Sequence, residues 1–152
     1  IDLQLLTYKR ASRDGSPFTT LDDALRRAVA RGVRVRLLVS EWGGKPGSEG
    51  RRAVEDLARA GAEARVLTIP AWSGGEIPFA RVAHAKYLVV DGARAWVGTS
   101  NWEGDYFFRS RNVGVVAEGG ALSARLGRVF EDGWSSAYAA PVAVSPSDSG
   151  AP

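Results

Sequence analysis

The sequence predicts an α/β domain in layers, with a mixed β-sheet flanked by helices, and three observations carry that prediction. Apolar residues alternate at period two over short runs, clearest at 1–8 and 33–40. Two stretches with apolar residues at helical spacing separate the first three such runs, which is the pattern of strands laid side by side with helices crossing between them. After residue 64 the strand-like runs follow one another without a helix, and two of them are joined by the tight turn Asp91-Gly92, which calls for antiparallel pairing.

Taken in order, the first strand covers 1–8, where Ile1, Leu3 and Leu5 alternate with Asp2, Gln4 and Leu6. A polar, turn-rich stretch follows, and Thr20-x-x-Asp23 has the form of a capping box ahead of the stripe Leu21, Leu25, Ala28 and Val29. Gly32 ends that helix in the left-handed position. The strand 33–40 sets Val33, Val35, Leu37 and Val39 against Arg34, Arg36 and Leu38, and its two arginines read as solvated surface. Gly43-Gly44-Lys45-Pro46-Gly47-Ser48 lacks the order of a phosphate-binding P-loop and reads as a connector. Ser48 caps a helix over 49–60 with the core stripe Ala53, Val54, Leu57 and Ala58, stopped by Gly61. Strands follow at 64–69, 82–90, 95–97 and 113–117. The last helix, 121–137, carries Leu122, Leu126, Val129, Phe130 and Trp134 on the face that meets the sheet.

Length and composition bound the rest. With 152 residues, 45% of them apolar, the chain supports one core, placed at 1–140. From residue 141 the composition turns to Pro, Ser, Gly and Ala, and 141–152 reads as a disordered tail. No run approaches the roughly 18 apolar residues of a membrane span. The absence of cysteine excludes disulfides and thiol chemistry without choosing a compartment. A net charge of +3 and a pI near 9.6 favour anionic partners only mildly. The chain opens on Ile1 inside a strand pattern, so it reads as a fragment or a processed product with an upstream piece to be expected.

The chemistry concentrates in one place. His84 is the only histidine, and Lys86, two residues away, is one of three lysines in a chain that uses arginine for 17 of its 20 basic positions. On a strand over 82–90 the two side chains project side by side with Leu88 and Val90. A neutral imidazole is a competent nucleophile near neutral pH, and an adjacent ammonium holds the non-bridging oxygens of a phosphodiester under attack. Asn101 adds an amide donor that repels no anion. The hairpin through Asp91-Gly92 returns Gly98-Thr99-Ser100-Asn101 towards the level of His84. Asp91 itself has a turn-former's place. No metal-ligand cluster is visible, and this chemistry needs neither metal nor cofactor.

His84-x-Lys86-x4-Asp91, six residues, then Gly98-Thr99-Ser100-Asn101 resembles the HKD signature of the phospholipase D superfamily. Four further matches at fixed offsets from one histidine arise by chance about once in a hundred thousand. The run from Ile77-Pro78-Phe79-Ala80-Arg81-Val82 through Trp102 to Tyr106-Phe107, with Gly32 to Ser40 upstream, resembles the second half of the branch of spleen-exonuclease-like, lysosomal members. The resemblance implies the same α/β fold and a phosphodiesterase working through a phosphohistidine, on phospholipid or single-stranded nucleic acid. It gives His84 the part of nucleophile or general acid, Lys86 and Asn101 that of phosphate ligands, and Asp91 that of supporting the site. It also implies two facing motifs, so the partner is a second HKD half, in the same longer chain or in a homodimer mate. Thr99 stands where serine is commoner, and Arg111 and Asn112 stand near where many members carry an orienting Glu.

Around the motif, Thr99, Ser100, Trp102 and Trp72 are the candidate substrate-binding residues. Trp72, in a breaker-rich loop over 70–78, suits stacking on a base, contact with an acyl chain, or anchoring the loop. The stretch 102–111 reads as irregular, with Tyr106, Phe107 and Phe108 beside Arg109 and Arg111, lining an anion-accepting cleft or filling core. A different class of function also fits the chain, a catalytically silent half that completes a partner's fold or binds an anion.

Overall fold

Alternation at the amino terminus produces the central strand of a seven-stranded sheet. The structure, a computed structural model, describes residues 1–77 and 81–144. Its elements are β1 (Asp2–Leu5), α1 (Thr20–Ala30), β2 (Arg36–Ser40), α2 (Glu49–Arg59), β3 (Glu63–Leu67), β4 (Tyr87–Val90), β5 (Arg94–Gly98), α3 (Gly104–Phe108), β6 (Gly114–Glu118), α4 (Gly120–Trp134) and β7 (Ala139–Pro141). The strand order is β6-β5-β4-β1-β2-β3-β7. β1, β2 and β3 are parallel, with Leu3 opposite Leu37 and Leu37 opposite Ala64, while β4, β5, β6 and β7 join antiparallel. The sheet is therefore mixed, as the order of strands and helices predicts.

Each parallel strand is covered on both faces. Leu37 and Val39 pack with Leu25 and Ala28 of α1 and with Ala53, Val54 and Leu57 of α2. Leu38, between them, points the other way onto Phe130 and Trp134 of α4. That is why β2 is buried at all five positions instead of alternating. Arg36 shares Leu38's face, and here the reading of its side chain as solvated surface is corrected. Its side chain is 8% exposed, bonded to Asp2 (2.7 Å) and Glu131 (2.8 Å), with its guanidinium 4.9 Å from the Phe130 ring centre. Arg34, on the same strand pattern, does stay exposed. Arg36→Ala removes a buried side chain packed on Phe130 and Trp134 together with its bonds to the part-exposed Asp2 and the exposed Glu131, so it is expected to destabilise the fold by about 1–3 kcal/mol in urea unfolding. A change under about 0.5 kcal/mol, typical of a surface arginine, would refute this account.

Several boundaries move for local reasons. α1 is preceded by Thr19, whose hydroxyl bonds the Asp23 carboxylate at 2.7 Å, so the box expected from Thr20 does not form. Its other end is as expected, with Gly32 at φ 81° and the amide of Val33 donating to the carbonyl of Ala28. Ser48 caps α2 through the amide of Arg51 at 3.1 Å. The stretch after Trp102 contains the short helix α3 where irregular chain was expected. On α4, Phe130 and Trp134 are buried, whereas Leu122 and Val129 of the expected core stripe are exposed. Past residue 140, Pro141 pairs with Arg65 in β7, and Val142 is buried with its amide on the carbonyl of Ala64. The expected tail at 145–152 lies outside the described residues, as do Pro78, Phe79 and Ala80.

Candidate active site

β4 runs antiparallel to β1 with Tyr87 opposite Gln4, so residues ahead of Tyr87 project beyond the carboxyl ends of β1, β2 and β3. Open α/β sheets bind ligands at that edge. His84 and Lys86 sit there on extended chain before the strand, not on a strand starting at 82. The two side chains nevertheless meet. The Lys86 ammonium donates to the carbonyl of His84 at 2.8 Å and lies 3.0 Å from Nδ1 and 3.3 Å from Nε2 of its ring. His84 is exposed while Lys86 is 6% exposed. Burial holds the Lys86 amine below the ordinary lysine range, and no carboxylate acts to raise it again.

The hairpin closes as the turn chemistry predicts. Asp91 (φ 53°) and Gly92 (φ 64°) occupy left-handed conformations, and the amide of Ala93 donates to the carbonyl of Val90. β5 then returns until the amide of Gly98 donates to the carbonyl of Lys86 at 3.1 Å. Gly98 has a steric reason: a Cβ there would fall 2.3 Å from the Trp96 ring, which lies over Gly98 and its cross-strand neighbour Gly114. A shallow depression of about 410 Å³ beside His84 and Lys86 is walled by Val97, Thr99, Leu126 and Val129.

The remaining candidates divide. Thr99 is exposed and tied to the next strand, donating to Oδ1 of Asn112 (2.9 Å) and accepting from the amide of Val113 (3.1 Å). Asn112 is thereby committed to Thr99 and, through its Nδ2, to the carbonyl of Tyr106, so it holds the loop together. Asn101 is 1% exposed, accepting from the amide of Thr7 at 3.2 Å and donating to the Tyr106 hydroxyl at 3.0 Å. These two bonds pin the motif loop to the end of β1 and bury the amide, whose expected part was that of a phosphate ligand. Trp102, 8% exposed, belongs to the core with Tyr8 and cannot touch a substrate as expected. Ser100 is buried beside it. Asp91 stands at the opposite end of β4 from Lys86, five residues or about 16 Å along the strand, so its position is a turn former's and not that of a group supporting His84. Trp72 is exposed, on the loop that follows β3.

Thr7, Lys9 and Glu103 escaped the sequence reading. Glu103 is nearly buried and accepts from the Thr7 hydroxyl and from Lys9 Nζ at 3.0 Å, which locks the segment after β1 to the loop after β5. Only the placement of an acid directly after Asn101-Trp102 could have signalled it. Among the described residues, no three His, Cys, Asp or Glu side chains gather closely enough to hold a metal ion, and no helix is long and apolar enough to cross a membrane.

The chain is similar to known proteins in sequence and in fold. The profile of the family described as cardiolipin synthase, phospholipase D-like domain, matches residues 3–134. A probable phospholipase D of Caenorhabditis elegans is 35% identical over 130 residues, 78% of this chain and 23% of that protein. The human 5′-3′ exonuclease PLD4 is 37% identical over 134 residues, 78% of this chain and 26% of that protein. The chain spans only about a quarter of the length of these curated relatives. In fold it is similar to Nuc of Salmonella typhimurium, a phospholipase D family member, with a TM-score of 0.70 at 20% identity, covering 95% of this chain and 81% of that one.

Proposed function

The chain belongs to the phospholipase D superfamily, and on that premise we propose that it is one half of a metal-independent phosphodiesterase acting through a phosphohistidine. In the first step a ring nitrogen of His84 bonds to phosphorus as the bond to the leaving oxygen breaks. A second histidine, from a facing half, gives that oxygen its proton. Water then attacks the phosphohistidine, returns a proton to the second histidine and frees His84. With the halves exchanged, His84 is the acid. Lys86 holds the phosphate oxygens, and Asn101, with Tyr106 and Thr7, holds the loop in place.

The observation that carries this reading is the buried Lys86 ammonium against the exposed His84 ring. A charge held in the interior without a carboxylate calls for an anion, and a phosphodiester at the exposed ring supplies one. The same observation weighs against a silent half, in which that ammonium would have no use. The facing half has a surface to cover: Val97 and Val129, which wall the depression beside His84, continue into the exposed Val113, Val115 and Leu122. The aromatic stretch after Asn101 does not supply that face, since Trp102 is core and Phe107 stacks on Phe18. For the substrate, kinship to a protein named as an exonuclease favours single-stranded nucleic acid, and kinship to proteins named as phospholipases keeps phospholipid as the second reading.

The test is hydrolysis of a bis-aryl phosphodiester by the assembled enzyme in excess chelator. Activity is expected to persist in chelator and to fall to background in His84→Asn. Loss in chelator, restored by a divalent ion, would assign the chemistry to a metal.

A further inference from the structure

Three residues before His84 lies a second cavity that the proposed chemistry does not use. It measures about 500 Å³ and is lined by Ile69, Trp72, Glu76, Ile77 and Arg81, at the same carboxyl edge of the parallel strands. Its main wall is a held indole. The Trp72 carbonyl accepts from the amide of Gly75, closing a turn, and the benzo edge of the ring folds back over Gly74, where a Cβ would stand only 2.4 Å away. The turn therefore fixes one side of the ring, yet Trp72 remains 52% exposed. An indole presented in this way is already ordered before anything stacks on it.

Arg81 closes the other end. Its Nε donates to the carbonyl of Pro70 at 2.7 Å, strapping the loop's entry to its exit, and its backbone is held at φ 60°, a conformation that a non-glycine residue keeps only under constraint. Three residues of chain, at most about 11 Å, separate Arg81 from His84, so this cavity lies on the segment that leads into the His84 site. A lipid acyl chain would want apolar walls throughout. These walls set an aromatic face, the Glu76 carboxylate and the Arg81 guanidinium among the apolar Ile69 and Ile77, a combination that suits a flat ring with polar edges attached to a phosphate.

We propose that this cavity is a subsite for the unpaired nucleobase next to the scissile phosphate, the base stacking on the open side of Trp72 and Arg81 meeting the adjoining backbone phosphate. The inference rests on the phosphodiesterase reading for what occupies the neighbouring His84 site. Base stacking on an aromatic side chain is sequence-tolerant, so the subsite selects single strands over duplex and not one base over another.

Binding of a fluorescent single-stranded pentanucleotide tests it, measured by anisotropy on the chain carrying His84→Asn so that the strand stays intact. Each base is replaced in turn by an abasic sugar. In this parent, one abasic position should weaken binding roughly tenfold to a hundredfold. Trp72→Ala should weaken the intact strand by a similar factor and abolish the penalty at that one position, while Trp72→Phe keeps much of both. An abasic penalty undiminished in Trp72→Ala, or no measurable binding of the strand by the parent, would overturn the subsite. So would a Trp72→Ala effect confined to phosphatidylglycerol vesicles offered in place of the strand. None of these outcomes bears on whether the assembled enzyme hydrolyses a bis-aryl phosphodiester, so the subsite and the phosphodiesterase reading fail separately.

Discussion

Alone, the 152-residue chain is expected to hydrolyse a bis-aryl phosphodiester at least a hundredfold more slowly than the same chain joined by a second histidine-bearing half. The argument is one of proton inventory. Once His84 attacks phosphorus, the departing oxygen needs an acid, and these residues contain no other histidine. The nearest polar hydrogens cannot stand in for one. Lys86 must stay protonated to hold the phosphate, and the Thr99 hydroxyl, in the wall of the same depression, already gives its hydrogen to Oδ1 of Asn112. General acid catalysis contributes roughly a hundred- to ten-thousandfold, so its arrival with a partner is easily read. On the proposed reading the partner docks on the exposed apolar face beside His84. A charged residue at Val115 or Val129 faces solvent in the lone chain and should leave its fold intact, while preventing association and the gain in rate. Sedimentation alongside the assay separates the cases. A strictly monomeric chain with full turnover would refute the two-histidine mechanism, and association undisturbed by charge at Val115 would relocate the interface.

The layered fold was legible because burial on a sheet is written in periodicities that need only short windows. Leu3, Leu5, Leu37 and Val39 alternate, Ala53, Val54 and Leu57 recur at helical spacing, and all seven enter one core. Strand ends were less legible, since a strand stops where its neighbour stops. Val33 continues the apolar alternation, but β2 begins at Arg36, opposite Asp2. The same dependence hid β7, which forms only because the edge of β3 is open to Ala139 to Pro141. Buried Arg36 could not be read as buried, because the residues that make burial tolerable, Asp2 and Glu131, lie 34 and 95 positions away.

At the site, what lies within one hairpin was legible and what the fold brings from afar was not. His84, Lys86 and the return of Gly98 follow from local spacing and a two-residue turn. Spacing says nothing of depth, however. Asn101 and Trp102 lie in the same run as exposed Thr99 but are buried, because the end of β1 crosses behind them and Thr7 and Tyr8 claim their polar and apolar surfaces. Glu103 and Lys9, 94 residues apart, became partners for the same reason.

Lys86→Arg, which preserves the charge, is expected to lower turnover of the assembled enzyme by about a hundredfold or more. The position of the native ammonium explains why so mild a change should matter. It is a compact charge, bonded at 2.8 Å to the carbonyl of His84 and reaching both ring nitrogens within 3.3 Å, in a space that leaves it almost no exposure. A planar guanidinium is wider and directs its hydrogens in a fixed fork, so it cannot occupy that space without displacing the imidazole it should assist. The pH profile gives a readout that a merely misfolded variant would not. Burial lowers the Lys86 amine from its ordinary value of about 10.4, so the native enzyme should lose kcat/KM on the alkaline side at a pH below that value. Stability should move in the opposite sense. Because the folded value lies below the unfolded one, the penalty for burying the charge is present at neutral pH and is relieved as pH rises through the folded value. In Lys86→Arg the residual activity should lack the alkaline limb, since arginine stays charged throughout that range. A variant that kept the native rate would remove Lys86 from the phosphate, and one that kept the alkaline limb would assign that limb to another group.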